Sequence, residues 1–325
     1  AYEIPKRDWS SDVCSSDLIA NLSGPDRQAK LEAGAKAEGM VMFYTALIVE
    51  QTVRPLQAAF EKKYPYLKVQ FIRDESQGLM VKLMAETRAG KPLADVVSGN
   101  TTAGLKEAGL LQSFTSPVLA NYDRALFGPD NLWVAERLAY NGIGYNPKLI
   151  PEATAPKSWE DLLDPRFKGK MVWSRSPDTG GPLTIMHIGH IMGHPKAEEY
   201  FDKLAKQDVR AVGGSIRAIL DLVIAGEYEM SLSTALHHVM ASRTSGAAVG
   251  FVSPDPVIAR GDYVQLLKAA PHPNAAMLFI DFLMSEEGQT IFANTENLPT
   301  HPNVKDRKST RLNSSHVSES RMPSS

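Results

Sequence analysis

Serine, threonine and glycine gather at turns that follow short apolar stretches: Tyr44-Thr45, Ser76, Ser98-Gly99, then Ser174-Arg175 through Asp178-Thr179, and Ser215. Hydroxyls and bare N–H groups at the start of a helix suit a small polar or anionic group, because the helix N-terminus carries partial positive charge. Arg137 supplies a guanidinium for such a group, and a bidentate contact contributes about 1.5 to 3 kcal/mol when desolvated. Two histidine sets offer metal chemistry instead: the adjacent His237 and His238, and His187, His190 and His194 at three- and four-residue spacing. Neighbouring helical residues point about 100° apart, so one ion does not easily engage both His237 and His238. The alternative has one of them face a ligand as a hydrogen-bond donor while the other packs. With no Glu in an HExxH arrangement, the triple row is a surface or partly buried row rather than a zinc hydrolase site.

The elements that must position these residues alternate between apolar strands and amphipathic helices. Residues 40–44 read as a strand covered on both faces, and Val53, Leu56, Phe60 and Tyr64 form the buried stripe of the helix after it, with Pro55 in its first turn. A short helix precedes that strand over residues 26–38. A second strand at 67–72 leads to a helix over 77–89 capped by Ser76, and a third at 94–97 leads to a helix through Ala108. Residues 133–146 read as two extended pieces punctuated by Asn141-Gly142, the first crossing between lobes. The rhythm restarts at the strands 171–173, 209–212 and 230–233, each followed by a turn and a helix. Residues 249–257, carrying Pro254 and Pro256, suit the return crossing, and 272–292 form a helix buried through Ala276, Phe279, Ile280 and Leu283. The pattern predicts an α/β chain of two lobes, each a mostly parallel sheet flanked by helices: 19–137 with the return 257–304, and 138–256.

A chain of 325 residues is long enough for two domains. Its 35 Lys and Arg against 37 Asp and Glu give a formal charge of −2, which speaks against nucleic acid as a partner, and it has no 18-residue apolar run that would span a membrane. The ends, 1–18 and 305–325, look foreign: RDWSSDVCSSDL and DRKSTRLNSSH can be written as opposite strands of one DNA segment and resemble translated adapter sequence. They are expected to be disordered and to add nothing to folding. Setting them aside removes Cys14, the only cysteine, so the remaining chain has no thiol nucleophile, disulfide or cysteine metal ligand.

Five motifs occur in a particular order: Phe60-Glu61-Lys62-Lys63-Tyr64-Pro65, Ala94-Asp95-Val96-Val97, Trp159 through Asp164-Pro165, Phe167-Lys168-Gly169-Lys170, and His272-Pro273 through Asp281-Phe282-Leu283 to Glu287-Gly288-Gln289. Together, over about residues 27–304, they resemble the periplasmic solute-binding proteins of ABC transporters, in the branch that includes ferric-ion binders. The resemblance implies a type II periplasmic binding fold, two α/β lobes on a hinge of two crossing strands with ligand closed between them. It also implies a monomer without cofactor or catalytic residue, exported to the periplasm or cell surface by a signal peptide not present in this sequence, that delivers cargo to a membrane permease. Ferric binders of this branch place adjacent tyrosines at the start of a lobe-two helix. The corresponding stretch here, Ser231 to His238, carries two histidines, which suit zinc, nickel or copper better. The expected ligand is therefore a small anion or anion-bearing solute, held by Tyr44, Thr45, Ser76, Ser98, Gly99 and Arg137 and by Ser174, Arg175, Asp178, Thr179, Ser215 and His237. A metal held by His237 or His238 is the alternative. An enzyme of the same architecture, porphobilinogen deaminase, needs a cysteine for its cofactor. A regulatory effector domain would need a helix-turn-helix, for which the segment before Met40 has no room.

Overall fold

The structure, a computed structural model, describes residues 17–177, 179–294 and 298–305. The adapter-like ends fall almost wholly outside the described residues, so the disorder expected of them is not described. The chain divides into two units, Ala1–Leu138 with Gly261–Ser325, and Ala139–Arg260.

Unit one opens with helix α1 (Arg27–Glu38), which ends at Gly39, a residue at φ 73° where a Cβ would be strained. Strand β1 (Met40–Thr45) pairs in parallel with β2 (Lys68–Arg73) and β3 (Val96–Gly99), as its nearly unbroken apolar sequence requires. Between β1 and β2 a π-helical turn, Val49–Val53, runs into α2 (Arg54–Lys63), a widening that periodicity alone does not show. Helix α3 (Ser76–Arg88) begins at Ser76 itself, with Glu75 in the cap position and no side-chain cap. The Ser76 hydroxyl instead accepts the Asn100 N–H at 3.1 Å, so the expected capping role is replaced by a tie to the turn after β3. Helix α4 (Thr102–Glu107) and β4 (Leu111–Gln112) follow.

The first crossing is a single strand, β5 (Val134–Tyr145), rather than two pieces. Its glycines explain why Asn141-Gly142 does not break it: they permit close approach and a shift of register. A Cβ on Gly142 would sit 2.3 Å from the Val252 carbonyl oxygen, and one on Gly144 2.6 Å from the Thr234 hydroxyl, on either side of a register shift.

Unit two places β6 (Met171–Ser174) between β7 (Arg210–Val212) and β8 (Met230–Ala235), all parallel, with the end of β5 antiparallel to β8. Helices α5 (Gly181–Met192), α6 (His194–Ala205), α7 (Ile216–Ala225) and α8 (Leu236–Thr244) connect and cover these strands. The short β9 (Gly250–Val252) pairs with β5 inside this unit. The return crossing is β10 (Ile258–Leu267), not residues 249–257. Pro254 and Pro256 lack the N–H that a central strand needs, so they fall in the link before it.

Back in unit one, β10 pairs antiparallel with β3, from Tyr263 opposite Gly99 to Leu266 opposite Val96. The expected terminal helix is two helices, α9 (Pro273–Met284) and α10 (Glu286–Asn294), broken where Ser285 turns extended. A two-residue strand, β11 (Leu298–Pro299), pairs with β5. Helix α9 is apolar on nearly every side and is buried from Ala275 to Met284. Phe279 meets Phe43 and Phe60 edge to face, with centroids 5.0 Å from each. Glu38 holds the N-terminus of α9, its carboxylate accepting the N–H groups of Asn274 and Ala275 at 3.1 and 2.7 Å.

The link into α9 is fixed by Asp95, which is fully buried just before β3. Its carboxylate accepts the N–H groups of Met42 and His272, both at 2.7 Å, and meets His272 Nδ1 at 2.9 Å. The bond to Asp95 raises the His272 pKa, against the lowering effect of burial. The protonated imidazole is therefore favoured in the folded state. Its stabilisation is fully present below the unfolded histidine value of about 6.5 and is lost as pH rises through the higher folded value. Melting temperature measured from about pH 5.5 to about pH 8.5 should fall more steeply in the wild type than in His272→Gln. Parallel curves would contradict this.

Candidate functional site

In unit one the carboxyl ends of β1 and β3 bring Thr45, Ser76, Ser98 and Gly99 together. The Leu47 N–H donates to Thr45 Oγ1 at 3.1 Å, and the Ala46 N–H donates to the Ser98 carbonyl at 3.0 Å. A Cβ on Gly99, which sits at φ 153°, would lie 3.1 Å from Ser76 Oγ and 3.5 Å from the Ala46 Cβ, so the two turns lie against each other there. Tyr44 does not join them. Its ring is buried with Leu79, Leu83 and Val97, and its hydroxyl donates to Glu86 at 2.5 Å. Burial, reinforced by the Glu86 carboxylate, raises its pKa.

Arg137 lies on β5, nearly buried, with Nη2 3.0 Å from the Asp262 carboxylate on β10. Its guanidinium is thus already held by a buried acid, a partner that sequence reading did not supply. The residue before it, Glu136, is fully buried and accepts the Ser98 hydroxyl. Burial pushes its carboxyl up to about 7. Glu136 is not among the expected site residues, yet a carboxyl amid the apolar residues of WVAERLAY is the signal that marks it.

In unit two three strand ends converge. Ser174, the last residue of β6, donates its hydroxyl to the Gly214 carbonyl at 2.5 Å, and its N–H donates to Ser233 Oγ on β8 at 3.2 Å. The Ser176 N–H donates to Ser174 Oγ at 3.0 Å, and Thr179 donates its hydroxyl to Ser176 at 3.0 Å. Ser215 caps α7 by accepting the Ala218 N–H at 3.2 Å. Arg175 is exposed, its N–H donates to the Val212 carbonyl at 2.9 Å, and its guanidinium lies 3.4 Å from where a Gly213 Cβ would be. Asp178 lies outside the described residues. Ser176, Ser231 and Ser233 are hydroxyl residues here that the expected ligand set omits. Ser231 and Ser233 are buried within β8, where strand and turn residues look alike in sequence.

His237 and His238 open α8, each half-buried, with ring centroids 4.2 Å apart at 67°. Their rings therefore touch, although a straight helix turns them apart. His187 is half-buried and its pKa is lowered, chiefly by burial, while His190 and His194 are exposed. Among the described residues no group of three or more His, Cys, Asp or Glu side chains is placed to hold a metal ion.

A family profile described as "Bacterial extracellular solute-binding protein" matches residues 90–315. The chain belongs to this family. The solute-binding protein is 26% identical over 244 residues to iron uptake protein A1 of Synechocystis sp., a match covering 70% of this chain and 66% of that one. It is 28% identical over 229 residues to a putative 2-aminoethylphosphonate-binding periplasmic protein of Salmonella typhi, covering 66% and 64%. The match thus spans about two thirds of each relative. Among solved structures, the periplasmic binding protein AfuA from Actinobacillus pleuropneumoniae, with exogenous fructose-6-phosphate bound, superposes with a TM-score of 0.70 at 24% identity, covering 83% and 88%. That likeness establishes the fold. The expected periplasmic binding architecture and the resemblance to ABC-transporter binding proteins are both upheld.

Proposed function

We propose that this protein is the periplasmic solute-binding component of an ABC importer, that it captures a phosphate- or phosphonate-bearing solute, and that it delivers the solute to a membrane permease without chemical change. The observation that carries the reading is the unit-two turn set. There Ser174, Ser176, Thr179 and Ser215 meet where three parallel strands end, beside the exposed guanidinium of Arg175. Hydroxyls, helix N-termini and a planar cation are what a tetrahedral oxyanion requires, and ligands of open α/β sheets lie beyond the carboxyl ends of the strands. Thr45, Ser76, Ser98 and Gly99 form the corresponding anion-contacting surface of unit one. A relative named for 2-aminoethylphosphonate binding supports the same class.

The contact between His237 and His238 favours a second reading, a metal-ion binder, and a relative is named for iron uptake. A thermal-shift series separates the two. Metal-stripped protein should be stabilised by 2-aminoethylphosphonate, fructose 6-phosphate or inorganic phosphate, by about 2.7 kcal/mol at a hundred times Kd. Stabilisation by ferric or divalent metal alone, abolished in His237→Ala/His238→Ala, would overturn the anion reading.

A further inference from the structure

Glu136 is a carboxyl that the binding site as described does not use. It lies in β5 beside Val134 and Ala135, wholly buried, with one oxygen taken by the Ser98 hydroxyl. The other oxygen, Oε2, is buried without a hydrogen-bond partner among the described residues. An ionised carboxylate is costly in such a place. Burial therefore raises its pKa to about 7, although the Arg137 guanidinium and the Ser98 hydroxyl pull it down; Asp262 adds to the rise. These two charged groups act on it from β5 and β10 and are paired with each other at 3.0 Å. From α10, Gln289 donates its side-chain amide to the Glu136 carbonyl at 2.8 Å and brings no charge. Ser98 is the pivot of the unit-one turns: its carbonyl receives the Ala46 N–H, and two residues on Asn100 donates to Ser76.

We propose that Glu136 is a positioning residue for this turn set: by gaining or losing a proton it decides whether the Ser98 hydroxyl gives or takes a hydrogen bond, and so how well the turns receive an anion. The proposal rests on reading those turns as an anion-contacting surface. With Glu136 ionised, Ser98 must donate its hydrogen to the carboxylate, and the buried negative charge opposes an anion at the turns. When the carboxyl takes a proton from solvent, it donates to Ser98 Oγ, the serine hydrogen is released to another acceptor, and the negative charge is gone. Both changes favour an anion on the acid side, and by reciprocity a bound anion favours protonation of Glu136.

The ligand-free protein tests the coupling. With 13C-labelled glutamate, a side-chain carboxyl should titrate between about pH 6 and about pH 8 in the wild type and be missing from Glu136→Gln. The amide resonances of Ala46, Gly99 and Asn100 should move with the same midpoint and stay still in the variant. Ser98→Ala, which removes a bond favouring the carboxylate, should raise the midpoint. A carboxyl midpoint in the ordinary glutamate range, or a neutral midpoint with unmoved amides, overturns the proposal. With 2-aminoethylphosphonate as probe, the ratio of wild-type to Glu136→Gln Kd should rise at least about fivefold from the acid to the alkaline end, a ratio in which the probe's own titration cancels. A flat ratio overturns the effect on anion affinity. If the wild type binds none of the probe at any pH, the anion reading fails, and the ligand-free titration still decides the coupling of Glu136 to the turns.

Discussion

Replacing Arg27 with alanine should lower the free energy of unfolding by about 3 to 5 kcal/mol. Arg27 joins α1 to α9: its guanidinium meets both oxygens of Asp281, at 2.5 and 3.2 Å, and donates to the Leu22 carbonyl at 3.1 Å. Both side chains are nearly buried. Truncation would leave the Asp281 carboxylate inside an apolar helix with no cation to offset its desolvation. The double variant Arg27→Met/Asp281→Leu removes the orphaned charge as well and should recover most of the loss. Urea unfolding of the single and double variants measures this. A loss below about 1 kcal/mol for Arg27→Ala, the range of an exposed pair, would contradict it.

Arg137→Ala should act on stability and binding at once. The buried Asp262 carboxylate would lose the guanidinium 3.0 Å away, at a cost of about 3 kcal/mol. If Arg137 also serves as the anion clamp, affinity for an anion should fall about tenfold to a hundredfold, more at low salt. Arg137→Ala/Asp262→Ala separates the two effects, because removing the buried acid as well should recover stability without restoring affinity. Affinity unchanged in both variants would make Arg137 a structural ion-pair residue alone.

The strand-turn-helix units were legible because their information is local: apolar runs such as Met40 to Thr45, hydroxyl-rich turns, and stripes such as Ile216, Ile219, Leu220 and Val223. The crossing strands are less legible. Gly142 and Gly144 look like a break, and only the neighbouring Val252 and Thr234 show why glycine is needed within one strand. The extended run around the two prolines draws the expected return strand to 249–257, while the sequence that forms it, IARGDYVQLL, hides its apolar character behind Arg260 and Asp262. Those charges make sense only through partners distant in sequence, as the Arg137 to Asp262 pair shows. For the same reason the turn residues are legible in the sequence, but the pairing of Glu136 with Ser98 is not.

The most direct test of the central claim is titration calorimetry of the metal-stripped protein with 2-aminoethylphosphonate, fructose 6-phosphate and inorganic phosphate, each repeated with excess chelator. A saturable isotherm of one solute per chain, unchanged by chelator and weakened in Arg175→Ala, is the predicted result. No heat from any of the three, with saturable binding of ferric citrate, would contradict it.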